Sequence, residues 1–316
     1  MISKAQASSD PAYGKPPEMR NVYELLSTSF LNVDKPPGPT SHQVTAWVRD
    51  MLEVKKAGHA GTLDPNVSGV LPIGLNRATR LLRYLLFDTK EYVALMRLHR
   101  GADEDKIVEA MKNFSGEIEQ RVPLRSAVKK RKRKRRISDL EILEIEGRDV
   151  LFRAEVESGT YIRTLCVDVG KALRTGANMV QLRRVRSSVF DERDSFILQD
   201  VIDAHRIWKD TGDETGIRKV LLPVERGFQN FRKVFVRDSS ISALCHGADL
   251  ALPGVVSFDE KIRKNSSVAI MSLKNELVAI GRVLMDGEPM YEKENGIAVD
   301  VETVVMERGT YPKMWN

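Results

Sequence analysis

Apolar positions along this chain change period several times, and each change marks an element. Residues 29–33 form a short, mostly apolar run of strand length. After Ser41, read as an N-cap, Val44, Trp47, Val48, Met51 and Leu52 recur at helical spacing. Asn76 is placed to cap a second helix whose apolar face holds Leu81, Leu82, Leu85 and Leu86. Residues 92–98 suit a strand, and 105–114 a helix that ends at Gly116. Residues 137–145 and 150–157 predict a β-hairpin around Glu146-Gly147-Arg148-Asp149. A helix over 160–174, a strand over 180–186 and a helix over 200–208 follow. Beyond Phe228 short β patterns alternate with turns, at 234–236, 268–271, 278–281 and 297–299. Residues 1–25 are polar and contain several prolines, so they are expected to be poorly structured.

Length and composition narrow the classes. A chain of 316 residues has room for two domains, and 42% hydrophobic content suits a packed globular protein. No apolar run approaches a membrane span, and the polar N-terminus has no signal-like apolar region. A cytoplasmic protein without membrane contact is expected. Cys166 and Cys245 are far apart, cannot build a cysteine-rich zinc site, and are read as packing residues. No metal site is expected.

The formal net charge is +6, and its distribution is uneven. Residues 129–136 are eight consecutive basic residues. Removing those eight from the 50 Lys and Arg leaves 42 against 44 Asp and Glu. The excess is therefore local. Lys129, Lys130 and Arg131 lead a run that can grip phosphates, with a solvated loop or an import signal as the alternatives. From Phe231 onward 11 Lys and Arg face 12 Asp and Glu, so RNA contact there would rest on shape and a local patch.

The densest candidate chemistry lies in Gly58-His59-Ala60-Gly61-Thr62-Leu63-Asp64-Pro65. One carboxylate stands on a turn between glycines, and Pro65 restricts Asp64 to extended backbone. Asp-Pro pairs also start ordinary surface turns, so spacing alone favours the bland reading. The neighbouring motifs reverse it. Upstream lies Val33-Asp34-Lys35-Pro36-Pro37-Gly38-Pro39-Thr40-Ser41; downstream come Gly69-Val70-Leu71-Pro72-Ile73-Gly74-Leu75 and Lys90-Glu91-Tyr92. Further on stand Ser158-Gly159-Thr160-Tyr161-Ile162-Arg163-Thr164 and Gln181-Leu182-Arg183-Arg184. This ordered set resembles the TruB-type pseudouridine synthases, and most closely their archaeal H/ACA and dyskerin branch. The stretch from His246 to Val255 resembles a PUA domain, a small RNA-binding β pseudo-barrel.

The resemblance implies an α+β fold: a pseudouridine synthase catalytic domain with a central, mostly antiparallel mixed sheet, plus a C-terminal β pseudo-barrel. The expected layout is an N-terminal extension over 1–25, the catalytic domain over 26–228, the PUA domain over 229–308 and a tail over 309–316. The resemblance makes Asp64 the nucleophile, Arg163 its ion-pair partner, Tyr92 the ring that meets the uracil, and Leu182 an apolar wall. It offers His59 as the ring that fills the gap left by the extruded base, with a structural histidine as the alternative. Lys35 is read as bracing the loop. Uridine isomerisation consumes no nucleotide, redox cofactor or metal, so no cofactor is expected. The implied partners are an H/ACA guide RNA, a target rRNA or tRNA, and small H/ACA accessory proteins. The short segment after Lys129 suits the guide-dependent branch better than a stand-alone tRNA T-loop enzyme. A non-catalytic RNA scaffold is a third reading, which the trio Asp64, Tyr92 and Arg163 disfavours.

Overall fold

Alternating burial along the strand Lys90–Leu98 organises the larger of two units. Lys90, Tyr92, Ala94, Met96 and Leu98 are buried, and the intervening residues are more exposed. Period-two alternation of this kind puts one face of a sheet on a core. The computed structural model describes residues 1–86, 88–121 and 132–314; Lys129, Lys130 and Arg131 lie outside them. One unit comprises Leu31–Gly74 and Leu82–Gly216. Its sheet runs in the order Ser29–Lys35, Ser68–Leu75, Ala177–Ser187, Lys90–Leu98, Asp149–Val156, Lys132–Glu146, Gly116–Arg121. The pairings from Ala177–Ser187 to Gly116–Arg121 are antiparallel, whereas Ser68–Leu75 meets Ala177–Ser187 in parallel. This is the mixed, largely antiparallel sheet of the expected α+β fold. Ile107, Met111, Ile162, Leu165, Cys166 and Val169 pack on Met96, Phe152 and Val156 to form its core. Cys166 is buried there, and burial pushes its thiol up to about 12, so it stays a protonated packing residue.

The helix expected from Ser41 is Ser41–Met51, but its N-cap is Thr40, in a capping box with Gln43. Ser41 is fully buried, and its hydroxyl goes elsewhere. The second helical signal splits into a 3-10 turn, Asn76–Leu81, and the short helix Leu82–Leu85.

The other unit comprises Met1–Phe30, Leu75–Leu81 and Ile217–Asn316. Residues 217–228 and 75–81, which lie inside the expected 26–228 domain, group here. Local contacts explain this: Arg20 pairs with Glu225, Asn76 donates to the Leu26 carbonyl, and Arg77 donates to the Val305 carbonyl. Seven strands run in the order Ile2–Ser3, Val255–Phe258, Lys233–Val236, Ser267–Ser272, Leu277–Val283, Ile297–Val304, Leu250–Ala251. Register shifts at Phe235/Val236, Ile270/Met271 and Ile280/Gly281 bend this sheet around Val234, Ile241, Phe258, Ile270 and Val299.

The expectation that residues 1–25 are poorly structured is corrected. Ile2–Ser3 adds an edge strand to Val255–Phe258, and Val22–Ser27 is a helix capped by Asn21 and Glu24. Between them polar side chains strap the segment down. Asp238 accepts from the Ser9 hydroxyl and the Asp10 N–H, at 2.9 Å each. Lys274 donates to the carbonyls of Asp10, Tyr13 and Gly14. Glu276 accepts from the Lys15 N–H and the Tyr311 hydroxyl. Such partners lie more than two hundred residues away, so composition could not reveal them.

Gly14 has φ +61°, and a Cβ there would stand 2.3 Å from the hydroxyl of buried Tyr311. Gly309 also has positive φ (+86°) but open space around it. Gly14→Ala should therefore cost about 1–3 kcal/mol more than Gly309→Ala, the overpacking increment, as read by denaturant unfolding. Equal losses for the two would show that the strap yields at Gly14.

Candidate active site

Asp64 stands on a loop whose backbone is held from below by buried donors. Lys35 is fully buried, and its ammonium donates to the carbonyls of Pro36, Pro65 and Val67 at 2.8–2.9 Å. The buried Ser41 hydroxyl accepts from the Leu63 N–H at 2.8 Å and sits 3.1 Å from the Leu63 carbonyl as its donor. Arg184, 1% exposed, donates to the Val70 carbonyl at 2.8 Å and the Gly61 carbonyl at 3.0 Å. Gly61, at φ +82°, makes the turn between these anchors. Three buried polar side chains thus satisfy carbonyls on the inner side of the turn, which would otherwise carry a desolvation cost. Burial lowers the affinity of Lys35 for its proton, and the negative charge of Asp64 opposes that shift.

Above this base the Asp64 carboxylate is exposed. Its Oδ2 receives a 2.6 Å hydrogen bond from Nη2 of Arg163, and the two side chains are 58% and 53% exposed. Arg163 occupies the first turn of the eleven-residue helix Ile162–Ala172, so the helix start and Pro65 fix the two backbones that meet here. The Tyr161 N–H donates to the Gln120 side chain, and Gln120 returns a bond to the Tyr161 carbonyl, which anchors that helix start.

The other candidates gather around this pair to different degrees. Tyr92 is nearly buried and shares a core cluster with Leu63, Val67 and Ile162. Leu182 is half-buried, pairs with Ala94 across the sheet, and packs on the same cluster. Arg184 lies opposite Tyr92 in that register. His59 ends the strand Ala57–His59, its ring 4.9 Å from that of His42. Neither of its ring nitrogens has a hydrogen-bond partner among the described residues. Burial, aided by the charges of His42 and Arg184, lowers its pKa to about 4. His59 is therefore a neutral aromatic ring at neutral pH, suited to stacking rather than to proton transfer.

Of the basic run, the described part is the start of the strand Lys132–Glu146. Lys132 pairs with Glu119, and Lys134 with Glu117 at 2.7 Å. Arg133 and Arg135 alternate with them and are half-buried, and Arg135 packs against Gly159. Among the described residues no His, Cys, Asp or Glu group is arranged to hold a metal, and no helix is long and apolar enough to cross a membrane.

Sequence reading missed Ser41 and Arg184 as loop anchors. Ser41 carried a capping signal that obscured its inward hydroxyl. Arg184 could have been found by strand alternation, since it shares parity with Leu182.

Comparison with known proteins accounts for the same residues. Residues 49–162 match the TruB family pseudouridylate synthase N-terminal domain, and 163–229 the tRNA pseudouridylate synthase B C-terminal domain. Residues 232–305 match the PUA domain and 1–45 the DKCLD (NUC011) domain. A probable tRNA pseudouridine synthase B of Pyrococcus furiosus is 51% identical over 316 residues, covering 100% of this chain and 93% of that protein. Its counterpart in Archaeoglobus fulgidus is 50% identical over 312 residues, covering 99% and 96%. A solved H/ACA RNP bound to a substrate RNA containing 2′-deoxyuridine superposes with a TM-score of 0.94 at 48% identity, covering 99% of this chain and 96% of the other. A Cbf5-Nop10-Gar1 complex gives 0.94 at 51%, with the same coverage. With its loop-borne Asp64, its helix-borne Arg163 and these matches along its whole length, the chain belongs to the TruB family of pseudouridine synthases.

Proposed function

We propose that this chain is the catalytic subunit of an H/ACA guide-RNA particle, converting chosen uridines of rRNA to pseudouridine with Asp64 as nucleophile. The observation that carries the reading is the Asp64–Arg163 pair: two opposite charges more than half exposed on a rigid, internally satisfied support. An exposed ion pair adds only about 0.2–1 kcal/mol to stability, so the pair has little structural purpose.

Isomerisation breaks the bond from N1 of uracil to C1′ of ribose, turns the base, and joins C5 to C1′. C5 then loses its proton and N1 gains one, so atoms balance without a cofactor. Asp64 acts as the nucleophile on the nucleoside, and Arg163 aims its carboxylate. Tyr92 and Leu182 form the wall against the flipped base, and Tyr92 is the candidate for proton transfer at C5. The neutral ring of His59 stacks in the gap the base leaves. The basic segment from Lys129 through Arg131 contacts RNA phosphate.

Guide dependence is supported by the likeness to chains solved within H/ACA particles and with Nop10 and Gar1. On that likeness the guide selects the uridine by base pairing, the PUA domain holds the guide, and small accessory proteins complete the particle. A cytoplasmic location follows for such a particle in an archaeal cell. The names of the curated relatives favour a second reading, guide-free action on tRNA.

Tritium release from 5-tritiated uridine tests both. Release from an rRNA fragment only with matching guide RNA and accessory proteins is expected; robust release from bare tRNA would favour the second reading. Asp64→Asn should abolish release in either case, and Arg163→Lys should lower it about 10²-fold or more by spoiling the aim of Asp64. Because both side chains are exposed, unfolding free energies of these variants should stay within about 0.5 kcal/mol of the parent. Undiminished release by Asp64→Asn would remove the catalytic assignment.

A further inference from the structure

Lys90 begins the strand that carries Tyr92, and it is only 5% exposed. Buried lysines are rare unless their protons are satisfied. Its ammonium meets the Leu86 carbonyl at 3.0 Å, the Asp88 carbonyl at 3.0 Å and the Ser158 hydroxyl at 3.4 Å. The Ser158 hydroxyl in turn donates to the Leu86 carbonyl at 2.6 Å. The side-chain stem passes beneath the catalytic loop: a Cβ added to Gly61 would stand 3.3 Å from Cε of Lys90 and 3.3 Å from the Arg184 guanidinium. Ser158 opens the turn that leads to Arg163, Gly61 lies in the turn that leads to Asp64, and Lys90 precedes Tyr92 by one residue pair on the same sheet face.

We infer that Lys90 is a positioning residue: its buried ammonium joins the approach to Tyr92 to the Ser158 turn that leads to Arg163, and its stem carbon Cε supports the Gly61 turn that leads to Asp64. The inference rests on reading those three as the reacting set. Lys35 makes the same kind of junction elsewhere under the Asp64 loop, bonded to three backbone carbonyls and to no carboxylate. The difference lies in the setting. Arg184, from the neighbouring strand, faces Lys90 with a like charge, while Asp88 is the acid near it. The Asp88 carboxylate is already engaged by the Ser188 hydroxyl and the Thr89 N–H. Ser158 and Gly61 bring no charge. Burial first, then Arg184, lowers the Lys90 pKa to about 8, with Asp88 opposing. Loss of one proton leaves three acceptors facing two donors and a lone pair, which loosens the junction.

The sign of the linked stability separates positioning from mere folding. Between pH about 8 and the ordinary lysine value the unfolded chain binds more protons than the folded one, so stability attributable to Lys90 rises with pH. Turnover should move the other way. The test is the single-turnover rate of the fully assembled enzyme across that pH range, beside its thermal unfolding. The parent rate should fall above pH about 8 without a matching loss of melting temperature. Lys90→Arg, which keeps its charge, should move the fall to higher pH. Lys90→Met should lower kcat about 10²-fold at neutral pH and leave KM for RNA unchanged. A parent rate that stays flat, a fall that merely tracks melting, an alkaline limb shared by the parent and Lys90→Arg, or parental kcat in Lys90→Met would each overturn the inference. Asp64→Asn runs in parallel: if it is inactive while the Lys90 variants behave as the parent, only the role of Lys90 fails; if it is active, the reading of the site fails.

Discussion

The satisfaction of backbone carbonyls beneath the Asp64 loop is the constraint on which the candidate site depends. Lys35, Ser41 and Arg184 spend their donors on peptide groups rather than on carboxylates. Hydrogen bonds involving a charged group contribute about 1.5–3 kcal/mol each, whereas the exposed Asp64–Arg163 contact is worth at most about 1 kcal/mol. The backbone position of Asp64 is therefore set by these anchors, and the exposed guanidinium contact adds little to it. A loop held only by the ion pair would lose its shape whenever the carboxylate engaged a nucleoside.

The same economy of charge runs across the sheet. Arg183 is bidentate to Asp34 and also bonded to Glu192, and Arg186 bridges Glu91 and Glu155. Between them Arg184 turns inward to the loop. Lys132 and Lys134 meet Glu119 and Glu117 on the adjoining strand Gly116–Arg121. Much of the apparent basic excess in these strands is thus neutralised where it lies, and sequence charge overstates the phosphate-gripping capacity of the run at 132–136.

What could be read in advance followed from locality. Helix and strand periods, the hairpin around Gly147, the burial of both cysteines and the meeting of Asp64 with Arg163 were legible, the last through motif resemblance. The inward turn of Ser41 was not, because capping and anchoring use the same hydroxyl residue types and differ by one position in the helix start. Arg184 and Lys90 were hidden by a sound general rule, that such residues face water; only the peptide carbonyls they serve, brought near by the fold, reverse it. The ordered N-terminal segment escaped for a similar reason. Its prolines and polar residues resemble a loose tail, yet Asp238, Lys274 and Glu276 supply the partners.

Those partners impose an order on biosynthesis. Ile2 pairs with Phe258, and the Asp10 region with Asp238 and Lys274. Residues 2–10 therefore wait for partners made more than two hundred residues later. At roughly 5–20 residues per second that interval is about 10–50 s, during which an unpaired leading segment must avoid premature association while the Asp64-bearing unit is still being made. The polar, proline-rich composition that disguised the strap is also what a long-unpartnered strand edge requires in order to stay soluble until its sheet arrives.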